Sequence, residues 1–230
     1  MQKSTFCGLI LTSLIMFSSS FLELHSQGLI NFKLKKSLDS LMTLDQKYRK
    51  KLLELATPSI RDSVAKAENM SVDEANYLYW NLQGKLDSLN LIFIDHLLEK
   101  TGYPGLSTVG VKTAEVAWNI IQHSSDVHGY LAIIKRAAKK RELSFTLYAT
   151  MLDRYLMDNN KKQIFGTQIV LRKHKSGKNP ELFIWPITRS KGINARRRKA
   201  GFKTTIEDYA RKMGVIYTLV KQEDLVNEAR

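Results

Sequence analysis

The chain has one cysteine and four prolines in 230 residues, and it has no long apolar run after Phe17. A single cysteine, Cys7, cannot form a disulfide within the chain. Because it lies near the start, thiolate catalysis and cysteine metal ligands are excluded from the rest of the sequence. No later segment approaches the roughly 20 apolar residues that a membrane-spanning helix needs. These absences predict a fold that is stabilised by packing and hydrogen bonds.

The first 26 residues have the pattern of a secretory signal peptide. Lys3 precedes the apolar run Phe6–Phe17, and small and polar residues ending in Leu-His-Ser-Gln follow it. A short basic start, an apolar core and a small residue before the cut define such a signal. We therefore expect cleavage between Ser26 and Gln27 and export to the periplasm or the cell exterior. An uncleaved membrane anchor is the alternative.

Acidic residues are scarce relative to basic ones, and the formal net charge is +14. The excess is concentrated between Arg172 and Lys203, where eleven Lys and Arg accompany the single acid Glu181. Such a segment attracts anions, although a solvated, solubilising surface has the same composition. An anionic envelope component is the possible partner of residues 172–203. The charge is also compatible with nucleic acid, but nothing in the segment gives strong evidence for it.

Helical periodicity runs through the chain from Asn31 to Met157. Ser71 and Glu74 have the spacing of a capping box, whereas Gly84 is interpreted as a helix break after which Asp87 caps the next helix. The predicted helices cover residues 31–55, 59–68, 71–83, 87–101, 112–123, 127–140 and 145–157. The sequence therefore predicts a mainly α protein up to this point.

The period changes from helical to alternating at Gln163. Two strand-like runs, residues 163–173 and 181–187, flank Ser-Gly-Lys-Asn-Pro and predict a β-hairpin. Strict alternation would place Gly166 and Gln168 on one face of the first strand and Thr167 on the other.

After the hairpin, Asn194 is predicted to cap a short basic helix, and Thr204 with Glu207 to form a capping box for the last one. The predicted fold class is a mainly α helical domain with a late β-hairpin, preceded by an N-terminal helical extension.

Polar residues within apolar helices are candidates for a site. An imidazole such as His123, at the end of an apolar helix face, can act as general acid or base, or can simply cap the helix. His123 and His128 point to different helix faces at their spacing of five, which disfavours a metal site. Asp153 and Arg154 are adjacent and cannot pair with each other, so each forms either a structural ion pair or part of an active site.

Three further features suggest ligand binding. Gly166 beside Gln168 predicts a notch that a ligand or another backbone segment can approach, with a glycine bulge as the alternative. Arg197, shortly after Asn194, places guanidinium donors near a helix start, where an anion can bind. An ordinary basic helix face is the alternative.

The ordered set of these residues resembles a bacterial family of domains of unknown function with a Gln-His-Ser helix, an Asp-Arg helix and a Gln-x-x-(Tyr/Phe)-Gly-Thr-Gln strand. The matching positions are Asp87, Asn90, Gly102, Pro104, Gly110, Gln122, His123, Ser124, Asp153, Arg154, Gln163, Phe165, Gly166, Thr167, Gln168, Pro186, Ile187, Asn194, Arg197 and Gly201. The family usually has an acid after the Pro-Ile pair, where this chain has Thr188. The resemblance implies a shared site without an established activity.

The predicted organisation is a signal peptide (1–26), a helical extension (27–86), a domain with the Gly-Thr-Gln motif (87–220) and a polar tail (221–230). The leading hypothesis is one pocket for a small polar or anionic ligand. Its predicted lining is His123, Asp153, Arg154, Gln163, Gly166, Thr167, Gln168, Asn194 and Arg197. A second hypothesis is a hydrolase in which His123 activates water and Asp153 orients it. A third is a non-catalytic structural or adhesive module of the cell envelope. No cofactor is predicted.

Overall fold

The computed structural model describes residues 29–225 except Ser125, His174, Ser176 and Lys178. The predicted signal peptide, its cleavage site and the end of the polar tail lie outside this part of the chain. No helix among the described residues is long and apolar enough to cross a membrane.

Helices dominate the described residues, and a single antiparallel hairpin follows the seventh helix. The α-helices are α1 Phe32–Ala56, α2 Arg61–Ala67, α3 Val72–Thr101, α4 Leu106–Val109, α5 Val116–Gln122, α6 Leu131–Lys139, α7 Phe145–Asp158, α8 Ile193–Lys199 and α9 Ile206–Lys212. Short 3₁₀ helices cover Thr113–Glu115 and Gln222–Asp224, and the strands are β1 Ile169–Lys173 and β2 Pro180–Ile184. The predicted fold class is confirmed.

The two longest helices, α1 and α3, pack along each other. Leu38 and Ile94 belong to one core cluster, whereas Leu55 and Ala75 belong to another, so the two helices run antiparallel. The larger cluster also contains side chains of α5, α6 and α7. The first half of α1 is therefore part of the main core.

The predicted break at Gly84 is wrong, and so is the predicted cap at Asp87. Helix α3 begins with the predicted capping box of Ser71 and Glu74 and continues to Gly102, whose φ is +74°. Gly84 lies on the exposed side of this helix, where a glycine weakens a helix without ending it. The predicted domain boundary after residue 86 falls inside α3.

Replacing Gly84 by Ala should stabilise the protein. A Cβ at this position meets no atom within 4 Å, and the backbone is helical. Because alanine loses less conformational freedom on folding, we expect the free energy of unfolding to rise by about 0.5–1 kcal/mol. Urea denaturation measures the change. A decrease would mean that α3 needs flexibility at this residue.

The hairpin has a simple register in which Ile169 pairs with Ile184 and Lys173 with Pro180. Its first strand is shorter than predicted, because Gln163 forms only an isolated bridge with Ile187. Residues 164–168 form a loop, in which Gly166 has a φ of +70°. The predicted division of this segment between two strand faces is therefore wrong.

Asn194 does not cap α8, since it lies inside that helix after Gly192. Its side chain instead reaches the start of α9, where its Oδ1 accepts a hydrogen bond from the Ile206 N–H at 2.8 Å and its Nδ2 donates to Glu207 at 2.8 Å. Helix α9 is capped by Thr205, which accepts from the Asp208 N–H, one residue later than predicted. Asn194 thus joins two helices.

Candidate functional site

Six of the nine predicted site residues lie in two polar clusters, and Arg154, Gly166 and Asn194 lie outside both. The first, called the loop network, consists of Asp153, Gln163, Thr167, Gln168 and Arg197, which surround the Gly-Thr-Gln loop. The second, called the interhelical cluster, consists of Asp45, Arg49, Gln83, Asp87 and His123, where α1, α3 and α5 meet. No hydrogen bond found among the described residues joins the two clusters.

Asp153 is the organising residue of the loop network. It lies on α7 and is fully buried. Its carboxylate accepts hydrogen bonds from the backbone N–H groups of Ile164 (2.7 Å), Phe165 (3.0 Å) and Thr167 (3.1 Å), and from the Thr167 hydroxyl at 3.0 Å. Burial raises the pKa of Asp153, and these hydrogen bonds only partly oppose the rise. The carboxylate therefore holds the loop in shape.

The loop passes so close to the core that Gly166 has no room for a side chain. An added Cβ would lie 2.4 Å from Ile206 Cδ1 and 3.0 Å from Ile187 Cδ1. These isoleucine side chains occupy the space beside Gly166 that the sequence assigns to a ligand or another segment. The atoms that approach Gly166 closely therefore belong to the protein's own side chains.

The two glutamines of the motif fasten the loop to the hairpin and to α7. Gln163 is buried, and its Nε2 donates to the carbonyls of Trp185 (2.6 Å) and Gln168 (3.1 Å), while its Oε1 accepts from the Gln168 N–H at 2.9 Å. The Gln168 amide donates to the Thr150 carbonyl at 3.2 Å and to the Thr167 hydroxyl at 3.1 Å. These amide groups are used inside the fold.

Arg197 closes the loop network from α8 and is 1% exposed. Its guanidinium donates to the Phe165 carbonyl at 2.8 Å and to the Thr204 carbonyl at 3.1 Å, and it lies 4.7 Å from the centre of the Phe202 ring. Burial lowers the pKa of Arg197, opposed by Tyr209 and Asp153. Arg197 thus donates to backbone oxygens of the protein, in the place of the bound anion that the sequence suggests as its partner.

Arg154 connects the Asp-Arg and Gln-His-Ser motifs. Its guanidinium donates to the backbone carbonyl of Gln122, to the Gln122 side-chain oxygen at 3.2 Å and to the Ser124 carbonyl at 3.3 Å. The last carbonyls of a helix have no partner within it. Arg154 supplies donors to the end of α5 and so ties α7 to it.

His123 belongs to the interhelical cluster and follows directly after α5. Its Nδ1 lies 3.2 Å from Asp45 Oδ1, and its side chain is 28% exposed. The His123–Asp153 pair of the hydrolase hypothesis is not formed, because Asp153 faces the loop. Burial tends to raise the pKa of Asp45, but the hydrogen bond and charge of His123 and the charge of Arg49 lower it below its usual value.

The remaining members of the interhelical cluster surround Asp87. Its Oδ1 accepts from Arg49 Nη2 at 2.6 Å and from Gln83 Nε2 at 2.7 Å. Gln83 Nε2 also donates to the Asp45 carbonyl at 3.1 Å, and Arg49 Nε lies 3.5 Å from Asp45 Oδ2. Sequence reasoning missed Asp45, Arg49 and Gln83 because charged and amide residues are ordinary on amphipathic helices. The local signals are the helical spacings of four between Asp45 and Arg49 and between Gln83 and Asp87.

A hollow of about 360 Å³ lies between the start of α7 and α8. Phe145 and Phe165 form an apolar floor, with their rings edge to face at 6.4 Å, and Arg196 and Lys199 flank it. Arg196 is held in place by the carbonyls of Thr188 and Arg189, at 2.8 and 2.7 Å. Sequence reasoning had not assigned this hollow.

No family model, no curated protein and no solved structure matches the chain. The family resemblance noted from the motifs therefore stays a prediction. The geometry of the described residues carries the functional argument.

Proposed function

We propose that the protein is an exported, non-catalytic module that binds an acidic polysaccharide of the cell envelope. The basic surface around the hollow between α7 and α8 makes the contact. The observation that carries the proposal is a division of labour among the basic residues. Arg154 and Arg197 donate to backbone carbonyls inside the fold, whereas Lys199 is exposed beside the hollow and Arg189 and Lys191 are exposed just before α8.

The charge of this region favours a polyanion. Between residues 172 and 203 the only acid is Glu181, and Lys173, Arg198 and Lys203 add further exposed positive charge. A surface of one sign raises the local concentration of oppositely charged ligands and speeds their association. The chain as a whole, at +14, reinforces this field.

The floor of the hollow favours a sugar among polyanions. Aromatic rings offer apolar area in a fixed geometry, and one face of a pyranose ring carries mainly C–H groups. Binding sites commonly combine an apolar floor with a few placed polar groups. Phe145 is 38% exposed in the hollow, and Lys199 also lines it. A sugar ring that bears a carboxylate or sulfate needs this combination of an apolar surface and a nearby positive charge.

A pocket for a small ligand at the Gly-Thr-Gln loop has less support. The polar groups of the loop network form hydrogen bonds with nearby backbone groups and with one another, and Asp153 and Gln163 are fully buried. A buried polar network whose members are satisfied rigidifies a fold and leaves few groups to bind a ligand. We therefore assign the motif residues a structural role.

Removing exposed charges on and just before α8 should weaken polysaccharide binding. We expect Arg189→Gln, Lys191→Gln, Arg198→Gln and Lys199→Gln combined to reduce affinity for dextran sulfate about tenfold or more, and affinity should also fall as salt rises. Biolayer interferometry measures both effects, with uncharged dextran as the control ligand. The matched variant replaces the exposed Lys33, Lys36, Lys50 and Lys85 by Gln, an equal change in net charge. Equal losses from both variants would mean that only the total charge matters.

Phe145→Ala separates a polysaccharide from other polyanions. We expect it to weaken binding of polygalacturonate and to leave binding of polyphosphate and of duplex DNA unchanged, since only the sugar uses the aromatic floor. A uniform loss across the three polymers would assign Phe145 to folding, and no loss for polygalacturonate would remove the hollow from the proposal. Circular dichroism confirms that the variant is folded.

A further inference from the structure

The interhelical cluster has the donor set of a transition-metal site, and it is separate from the proposed polysaccharide surface. One ligand atom each from Asp45, Asp87 and His123 lies within 4.8 Å of the others. Around one zinc ion, with bonds of about 2.0–2.2 Å, ligand atoms lie about 3–3.5 Å apart. The three side chains therefore need to close by little more than 1 Å, which side-chain rotation supplies.

A fourth oxygen beside these three points to a ligand independently. Gln83 is fully buried, and its Oε1 has no hydrogen-bond partner among the described residues. Its Nε2 donates to Asp87 Oδ1 and to the Asp45 carbonyl oxygen, which fixes the orientation of the amide group. If the amide were rotated by 180°, Oε1 would face these two acceptor oxygens. Since Oε1 shares a carbon with that nitrogen, it lies beside the same carboxylate. A buried oxygen left without a donor is costly, and a cation would satisfy it.

Access and charge also fit a cation. The side chains of Asp87 and His123 are 24% and 28% exposed, which gives an ion a route from solvent to the fully buried Asp45. One imidazole with two carboxylates suits zinc and its neighbours in the first transition row better than magnesium, which prefers oxygen alone.

Arg49 is the resident counter-charge of the cluster. Its Nη2 is 2.6 Å from Asp87 Oδ1 and its Nε is 3.5 Å from Asp45 Oδ2, so its single positive charge offsets part of the negative charge of the two carboxylates that a metal would use. We propose that Asp45, Asp87 and His123, with the Gln83 amide oxygen beside them, bind one divalent transition-metal ion in competition with Arg49. The arginine side chain swings aside when the ion enters.

The competition predicts that removing a positive residue tightens binding of a positive ion. After treatment of the full chain with EDTA, isothermal titration calorimetry should show one zinc ion per chain. Asp87→Asn and His123→Gln should each weaken binding about tenfold or more, because each removes a ligand, and Arg49→Gln should tighten it about tenfold, because it removes the competitor. Excess magnesium should not compete.

His128→Gln is the matched control, because His128 is exposed and stacks on Tyr155 away from the cluster. It should bind zinc as the wild type does. Absence of zinc binding by the wild type at about 1 mM, or equal losses in His128→Gln and His123→Gln, would overturn the proposal. Arg49→Gln weakening the affinity would overturn the competition. If a variant does not fold, the absorption spectrum of cobalt bound to the wild-type protein still tests whether nitrogen and oxygen atoms ligate the ion.

Discussion

Asp153→Ala should unfold the protein at a far lower urea concentration than the wild type. The substitution leaves three backbone N–H groups, of Ile164, Phe165 and Thr167, and the Thr167 hydroxyl without an acceptor in a buried place. Each unsatisfied buried donor costs about 1–3 kcal/mol, and partial rearrangement of the loop recovers some of that. We expect the free energy of unfolding to fall by about 3–5 kcal/mol, measured by urea denaturation.

Two comparison variants make this prediction specific. Asp153→Asn retains the shape and one acceptor oxygen but turns a donor toward the loop, so its loss should lie between those of wild type and Asp153→Ala. Asp158→Asn removes a carboxylate from the same helix at 47% exposure, where its ion pair with Arg154 at 3.6 Å contributes about 1 kcal/mol or less. If Asp158→Asn proved as destabilising as Asp153→Ala, the hydrogen bonds to the loop would not be the cause.

Gly166→Ala should also destabilise the protein strongly, although it adds only a methyl group. A side chain at a φ of +70° costs about 1–2 kcal/mol by itself. The new Cβ would also lie 2.4 Å from Cδ1 of Ile206, a fully buried residue, and overpacking of this kind costs about 1–3 kcal/mol. We expect a total loss of about 3 kcal/mol in urea denaturation.

Gly192→Ala is the matched control for backbone strain. Gly192 has a φ of +86°, but a Cβ there meets nothing within 4 Å, so its replacement should cost only the strain. Adding Ile206→Val to Gly166→Ala removes the atom that clashes and should recover part of the loss, a coupling that a double-mutant cycle quantifies. Equal losses at Gly166 and Gly192, without coupling to Ile206, would falsify the packing argument.

Both predictions concern motif residues that are attractive as catalytic candidates from the sequence. Their contacts explain the motif in structural terms. Asp153 accepts hydrogen bonds from N–H groups of the loop, Arg197 donates to a loop carbonyl, and the missing side chain of Gly166 lets the loop approach the core. The charge of Asp153 also acts on Arg197 without direct contact, and it opposes the lowering of the Arg197 pKa that burial causes. Such a loop is a junction between the helical core and the hairpin.

The predictions that succeeded depend on local periodicity and on residues within one turn of each other. The capping box of Ser71 and Glu74, the helix that starts at Phe145 and the hairpin after Gln163 are all found. The predicted helix boundaries at Gly84 and Asn194 are wrong for a common reason. A residue of low helix propensity can either end a helix or lie inside it, and tertiary packing decides between the two. Neighbouring helices supply that packing.

Composition and spacing are enough to predict the mainly helical fold with its late hairpin, the absence of disulfides within the chain and the position of the basic segment. The partners of the polar residues follow from the tertiary structure instead. His123 pairs with Asp45, 78 positions away, whereas Asp153 accepts hydrogen bonds from the loop. Some basic side chains, such as Arg197, bind backbone carbonyls inside the fold, and others lie at the surface. Periodicity reports which face of an element is buried, but the identity of a partner depends on contacts between distant segments, which no local pattern contains.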